Sequence, residues 1–228
     1  MEKYYIYGKK EIINILFFSL AFGLLFSFDQ WISIKSGFVN LLLSGFLSFV
    51  GLFFFTFAQK YFAYRSGYSH EAIFSYPWIL FSVALVLISN GLFIIPLGYG
   101  AQYELLARQR LGKFRYGLNF WSMAMISMTG VAALFLLALL FKALTLYNPA
   151  YLFTQGIRVN LLIAIFSMLP LSPMIGTYLF FASRKAYVFL LSLIVFSAIL
   201  LNTFSIAAAI AIALILSLII LGLFAYLD

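Results

Sequence analysis

The residue types that carry most enzyme chemistry are scarce in this sequence. The chain has 228 residues, of which one is histidine, His70, and none is cysteine. His70 and Glu71 would begin an H-E-x-x-H zinc motif, but Phe74 occupies the place of its second histidine. The lack of cysteine excludes thiolate metal sites, disulfides and thiol nucleophiles. We therefore expect His70 and Glu71 to be a solvated pair in a loop, and the chain to hold no metal and no cofactor.

The acidic residues and serines do not supply a second set of catalytic groups. Asp29, Glu104 and Asp228 lie apart from one another, in loops or at a terminus. Proton-coupled transporters usually carry carboxylates inside their membrane segments, so this distribution disfavours an ion-coupled pump. No serine lies in a G-x-S-x-G sequence and there is no glycine-rich phosphate loop, which disfavours a serine hydrolase and a nucleotide-dependent enzyme.

The segments that must position any site are membrane helices. Hydrophobic residues make up 65% of the chain and charged residues 9%, against about 45–50% and about 25% in soluble domains. Runs that approach or exceed the roughly 20 residues of a membrane-spanning helix are Ile12–Phe28, Phe38–Ala58, Trp121–Phe141 and Ala186–Leu227. The last run is long enough for two helices. We expect an all-α, multi-pass membrane protein forming a single domain over residues 1–228, with about six transmembrane helices and a C-terminal helical hairpin at residues 186–227.

The positive charges predict how the chain is oriented. If Pro77–Pro96 is an ordinary membrane-spanning helix, the 14 Lys and Arg residues divide equally between the two sides. If Pro77–Pro96 instead enters the membrane and returns, eleven of them lie on the side of the N-terminus. The positive-inside rule favours this second arrangement, with a cytoplasmic N-terminus and a re-entrant or extra membrane segment at residues 77–96.

The same charges bear on partners and localisation. Because they lie in short loops and at helix ends, the net charge of +8 indicates topology and contact with the headgroups of a lipid bilayer, not nucleic-acid binding. The composition, poor in cysteine and rich in Ile, Phe and Leu, suits a prokaryotic cell membrane.

Two prolines interrupt the apolar run that precedes the C-terminal hairpin. Residues 160–176 read NLLIAIFSMLPLSPMIG, and a proline inside a helix removes a backbone hydrogen bond and clashes with the preceding turn. Leu169, Pro170, Pro173 and Gly176 match four positions of the N-L-L-P-x-x-P-L-D-G stretch of site-2 proteases, which are intramembrane zinc metalloproteases. This part of the chain resembles that family's third-ligand segment, and Pro170, Pro173 and Gly176 would form its structural turn.

The alignment extends upstream, where the zinc ligands of the family are missing. The sequence AQKYFAYRSGY at residues 58–68 is similar to the stretch that follows the family's zinc helix, and it places the H-E-x-x-H positions at residues 55–59. Phe55 and Gln59 then replace the two histidines, and Thr56 replaces the glutamate that acts as general base. A phenylalanine cannot coordinate zinc, and one glutamine amide does not make a zinc site.

The third ligand of the family is missing as well. The same register puts Ile175 in place of the ligand aspartate and Ser167 in place of the asparagine. The resemblance implies that Phe55 and Gln59 lie close to the turn around Ile175, because these positions correspond to ligands of one ion. We therefore expect no catalytic residues and no metal ligands, only vestigial active-site positions.

The resemblance implies a site-2 protease-like core at about residues 38–185 without catalytic activity. Such a protein would bind transmembrane segments, or serve as a subunit or scaffold of a membrane complex, with a transmembrane protein as its partner. An unrelated small transporter or channel-type subunit with proline-broken helices is the alternative.

Overall fold

The computed structural model describes residues 7–31, 33–106 and 118–227. Its helices are α1 (Lys9–Ser27), α2 (Ile34–Arg65), α3 (Tyr76–Ile88), α4 (Phe120–Tyr147), α5 (Tyr151–Ser167), α6 (Gly176–Ala182), α7 (Arg184–Leu200) and α8 (Ile206–Leu227). Its strands are β1 (Tyr68–Phe74) and β2 (Tyr99–Leu105), and a 3₁₀ turn over Phe28–Gln30 follows α1. The four basic residues from Arg108 to Arg115 and the terminal Asp228 lie outside the described residues.

Four helices are long and apolar enough to cross a membrane: Lys9–Gln30, Ile34–Arg65, Phe120–Tyr147 and Ile206–Leu227. They indicate an integral membrane protein with several passes. Helices α5 and α7 have 17 residues each, or about 26 Å at 1.5 Å per residue, whereas the hydrocarbon core of a bilayer is about 30 Å thick. The expected count of about six transmembrane helices is therefore reached only if these two shorter helices also cross.

Helix α2 is the centre of the bundle, because α1, α4 and α5 all pack against it. Its residues Leu52, Phe55 and Ala63 are completely buried. The C-terminal helices α7 and α8 pack mainly against each other and are joined by residues 201–205. The buried residues of α8 are Ala209, Ala213 and Ser217, small side chains that allow helices to approach closely in lipid.

A two-stranded antiparallel sheet, here called the ribbon, lies at the C-terminal end of α2. Strand β1 pairs with β2 in a register that runs from Tyr68 opposite Leu105 to Phe74 opposite Tyr99. The expectation of an all-α fold missed these strands. Every second residue of β1 is buried, from Tyr68 through His70 to Phe74, because one face of the ribbon packs on α2. The prediction of a solvated loop at His70 was therefore wrong.

The segment between the strands leaves the ribbon and returns to it. The backbone N–H of Ser75 donates to the carbonyl of Gly98 at 2.8 Å, so the two ends of this segment lie together. Helix α3 leads away, and Gly91 beyond its end lies against Asp29 at the far end of α1. Residues 92–98 then come back to the ribbon.

Ser82 on α3 and Ser89 just beyond its end provide partners for the returning chain. Ser82 accepts a hydrogen bond from the backbone N–H of Leu97, and Ser89 accepts one from that of Phe93, each at 3.2 Å. The two serines are seven residues apart, about two helical turns, so Ser89 follows the face of α3 on which Ser82 lies. Extended backbone away from water needs such partners, and this explains why the segment carries polar residues among its apolar ones.

Candidate functional site

Gln59 joins α2, both strands and α4 through a buried hydrogen-bond network. Its amide nitrogen donates to the carbonyl of Ser127 at 3.2 Å, and its amide oxygen accepts from the Tyr99 hydroxyl at 3.2 Å. The same oxygen lies 2.9 Å from Nε2 of His70. Gln59, at one of the positions aligned with a zinc-binding histidine, is thus a completely buried junction of four elements.

These contacts determine the tautomer of His70. The Ser127 carbonyl can only accept, so the amide nitrogen of Gln59 faces it and the amide oxygen faces His70. That oxygen also only accepts, and therefore His70 carries its proton on Nε2. Nδ1 is then an acceptor, and it is buried without a hydrogen-bond partner among the described residues.

His70 is held in its neutral form. Its side chain packs against the Tyr103 ring at a centroid distance of 5.6 Å, and the Tyr103 hydroxyl bonds to the Ser127 hydroxyl at 2.7 Å. Burial, and after it the positive charge of Lys60, lowers the pKa of His70 to about 3. With a pKa this far below 7, the His70 ring stays uncharged near neutral pH. It therefore donates a hydrogen bond to Gln59 and does not carry protons.

The N-terminal end of α1 covers the polar end of α2. Lys60 forms a buried ion pair with Glu11 at 2.6 Å, and the other oxygen of Glu11 accepts the backbone N–H of Ala72 at 3.2 Å. The Tyr7 ring lies 4.6 Å from Nζ of Lys60. The Tyr7 hydroxyl is 2.9 Å from the hydroxyl of Thr56, which also bonds to carbonyls of its own helix. Thr56, aligned with the catalytic glutamate, is therefore fully engaged.

The proline turn between α5 and α6 is tightly packed. Ser167 bonds back to the carbonyl of Ala164 at 2.8 Å, and Ile175 is completely buried. Position 176 must be glycine because the backbone of Met168 lies against it, and an added Cβ would be 1.8 Å from the Met168 carbonyl oxygen. The indole N–H of Trp78 on α3 donates to the carbonyl of Ser172, between Pro170 and Pro173, at 3.0 Å.

Strand β2 contacts both stretches that the resemblance aligns. The Phe55 ring packs edge-on against Tyr99 at a centroid distance of 4.6 Å. At the next residue, a Cβ added to Gly100 would lie 2.0 Å from the carbonyl oxygen of Pro173. Phe55 and Ile175 both belong to the buried core, so Phe55 does not face lipid. The ribbon lies against both α2 and the proline turn.

The aligned residues do not suit a zinc ion. Phe55 and Ile175 offer no lone pair, and the oxygen of Gln59 already accepts two hydrogen bonds. Among the described residues, no three His, Cys, Asp or Glu side chains lie together as metal ligands would. A zinc site needs three such protein ligands and a base beside the bound water, and Phe55, Thr56, Gln59 and Ile175 do not supply them.

Several residues of this network were missed by the sequence analysis. They are Glu11, Lys60, Tyr99, Tyr103 and Ser127. The sequence YGAQYEL at residues 99–105 places Tyr, Ala and Tyr at every second position, which is a strand signal. Glu11 follows Gly8 by three residues and accepts its backbone N–H at 3.2 Å, a spacing typical of a helix start. Nothing in the sequence pairs Glu11 with Lys60.

Comparisons of the chain with protein-family models, with curated proteins and with solved structures give no match. The likeness to site-2 proteases therefore rests on the residues of this chain alone.

Proposed function

We propose that this chain is a catalytically inactive, site-2 protease-like membrane protein that binds transmembrane segments or serves as a scaffold subunit of a membrane complex. The observation that supports the loss of catalysis most directly is the bonding of Gln59. Its amide joins α2, the ribbon and α4, so the position aligned with a zinc ligand now has a structural role.

A second feature supports the same proposal. Water activation needs a base near the metal, such as a carboxylate, whereas Thr56 has a neutral hydroxyl, which donates to carbonyls of its own helix and bonds to Tyr7. An apolar Phe55 and Ile175 cost little to bury in a dry interior, where an unpaired ligand would be expensive. Binding remains as a function once the reaction is lost.

A groove between α1 and α2 is a suitable place for a transmembrane segment. It has a volume of about 300 Å³, and its walls include Leu20, Leu42 and Phe46, with Ser19 and Gly45 between them. Ser19 and Gly45 already bring α1 and α2 together, since a Cβ added to Gly23 would lie 2.7 Å from the Cα of Gly45. An occupant of the groove would therefore meet the exposed side chains of Leu20, Leu42 and Phe46. We assign this groove to one helix of a partner protein.

The catalytic part of the proposal is tested on the purified, detergent-solubilised full chain. We expect no stoichiometric zinc by elemental analysis and no cleavage of model transmembrane peptides. The matched variant carries Phe55→His, Thr56→Glu, Gln59→His and Ile175→Asp, which restores the aligned ligands and base. Zinc bound by the unmodified chain at one equivalent, with peptide cleavage that a chelator abolishes, would refute the inactive assignment.

The binding part needs a separate experiment. A photo-crosslinking amino acid is placed at Leu42 or Phe46 in the groove, and at Leu223 on α8 as a matched lipid-exposed control. We expect the groove positions, but not position 223, to give discrete adducts with a second membrane protein in cells. If the groove positions yield lipid adducts alone, the groove holds acyl chains and the partner-binding function is wrong.

The transporter alternative has less support. Coupled transport needs an ionisable group that changes its protonation or its partner inside the membrane. Glu11 is the acidic residue buried within the described part of the chain, and it is already neutralised by Lys60.

A further inference from the structure

A polar cavity of about 520 Å³ opens where α1 begins, α2 ends and the ribbon starts. Its charged lining residues are Lys9, Lys10, Glu11, Lys60, Glu71 and Glu104. Cavities of roughly 300–1,000 Å³ hold small ligands in proteins. The cavity does not include the groove between α1 and α2, and it makes no use of the aligned protease positions.

The position of the cavity relates it to the membrane surface. Lys9 begins the first candidate membrane span, and Lys60 lies in the last turns of the second. The polar ends of spanning helices lie among lipid headgroups, and basic residues near them contact headgroup phosphates. A ligand in this cavity would therefore sit at the depth of the headgroups.

The charges in the cavity are balanced and separated. Glu11 and Lys60 neutralise each other in a buried pair whose side chains are 10% and 6% exposed. Lys9 and Lys10 at the start of α1 form no ion pair in the part of the chain that the structure describes, and the same holds for Glu71 and Glu104 on the ribbon. The cavity thus has a cationic wall on α1 and an anionic wall on the ribbon.

Each wall selects one part of a ligand. Two lysines at a helix N-terminus, where backbone N–H groups and the helix dipole also attract anions, suit a phosphate. Two carboxylates beside the amide of Gln102 suit an ammonium with several N–H donors.

We propose that this cavity binds a zwitterionic phosphoethanolamine group. The phosphate contacts Lys9 and Lys10, and the primary ammonium contacts Glu71 and Glu104. Phosphatidylglycerol has the same phosphate charge but ends in a neutral glycerol, so it would leave the two carboxylates without a cation. A choline headgroup has no N–H to donate, and so it loses the hydrogen bonds to the ribbon while keeping those of its phosphate.

The group has two sources, the membrane lipid phosphatidylethanolamine and the soluble ester glycerophosphoethanolamine. Native mass spectrometry of the full chain, released from nanodiscs that contain equal amounts of phosphatidylethanolamine, phosphatidylcholine and phosphatidylglycerol, measures retention of the lipids. Titration of the detergent-solubilised chain with glycerophosphoethanolamine measures the soluble form. If the chain retains the lipid and does not bind the ester, the natural ligand is the membrane lipid. If it binds the ester with a Kd in the millimolar range or tighter, the natural ligand is the soluble ester.

Paired variants separate the two walls. Glu71→Gln with Glu104→Gln should lower retention of phosphatidylethanolamine about tenfold, to the level of phosphatidylcholine, because charge-assisted hydrogen bonds are lost. Lys9→Gln with Lys10→Gln should lower retention of both lipids by a similar factor. Lys35→Gln with Lys185→Gln removes the same amount of charge from exposed positions outside the cavity and should change neither.

Three results would overturn the proposal. One is equal retention of all three lipids together with no binding of the ester. Another is an effect of the Lys35 and Lys185 pair as large as that of the Lys9 and Lys10 pair. The third is a Glu71→Gln, Glu104→Gln variant that still prefers phosphatidylethanolamine and unfolds at the same temperature as the unmodified chain.

Discussion

The two ends of the helical bundle carry polar residues of different kinds. At the ribbon end, Gln59 and His70 are buried and bonded to each other, and Lys60 is paired with Glu11, with side chains 6% and 10% exposed. At the opposite end, Arg158 lies 3.2 Å from Asp29, with side chains 39% and 35% exposed. Water can replace the partners of this exposed Arg158–Asp29 pair, whereas the buried Gln59 and Lys60 at the ribbon end depend on their protein partners.

This difference has an energetic consequence. An exposed ion pair contributes about 0–1 kcal/mol, because water solvates each charge when the pair separates. Removing one member of a buried pair costs about 3–5 kcal/mol, since the remaining charge stays unpaired in a dry site. The ribbon end should therefore respond strongly to single substitutions, and the opposite end should respond weakly. The predictions below test this contrast, beginning with the largest effect.

Lys60→Met should cause the largest loss of stability. It leaves the Glu11 carboxylate buried beside the backbone N–H of Ala72 with no cation, and we expect a cost of about 3–5 kcal/mol. Thermal unfolding of the detergent-solubilised protein, followed by tryptophan fluorescence, measures this cost.

The control for this prediction removes both charges. Glu11→Gln combined with Lys60→Met keeps acceptor and donor atoms at position 11 but buries no unpaired charge, so it should recover most of the loss. A double variant as unstable as Lys60→Met alone would show that an unpaired Glu11 charge is not the source of the loss.

Acid should weaken the ribbon end through His70. The folded-state pKa of about 3 lies below the ordinary value of 6.5, so the unfolded chain binds a proton that the folded chain does not. The contribution of His70 to the free energy of unfolding is then constant above pH 6.5. It falls as the pH drops from 6.5 toward 3, by up to about 1.4 kcal/mol per pH unit.

The measurement is thermal stability between pH 6.5 and 5, above the range in which most carboxylates titrate. His70→Gln keeps a neutral side chain that can donate to Gln59 and should remove the slope in this window. An equal slope in the variant would place the responsible proton on another group.

The contrast between the two ends also explains how far the sequence could predict the molecule. Helices α2 and α4 follow from long apolar runs, because a spanning helix satisfies its own backbone and needs only length and hydrophobicity. The placement of both ends of the Pro77–Pro96 segment on one side of the membrane was inferred from the sum of the basic residues, and it stays a prediction. Such features depend on the length of an apolar run or on a count of charges, so they can be predicted without knowing which residues are in contact.

The ribbon end depends on contacts between distant residues, and there the prediction was incomplete. His70 reads as a loop residue because its strand is seven residues long and bordered by Gly67. Its partner across the ribbon, Tyr103, follows 33 positions later. Glu11 meets Lys60 across 49 positions. The alignment to a protease singled out Gln59 and Thr56, and it did not indicate that Tyr7, Tyr99 and Ser127 engage them.

The smallest effect is expected at the opposite end, from Asp29→Asn. Its carboxylate and the Arg158 guanidinium are both more than a third exposed, so water and salt screen their attraction, and an asparagine oxygen can still accept a hydrogen bond from the guanidinium. We expect a loss of stability below about 1 kcal/mol, and a smaller loss in 0.5 M salt than in dilute buffer. The same thermal unfolding assay measures it beside Lys60→Met. If Asp29→Asn destabilises the protein as much as Lys60→Met does, the two ends are equally dependent on their ion pairs, and burial does not explain the difference between them.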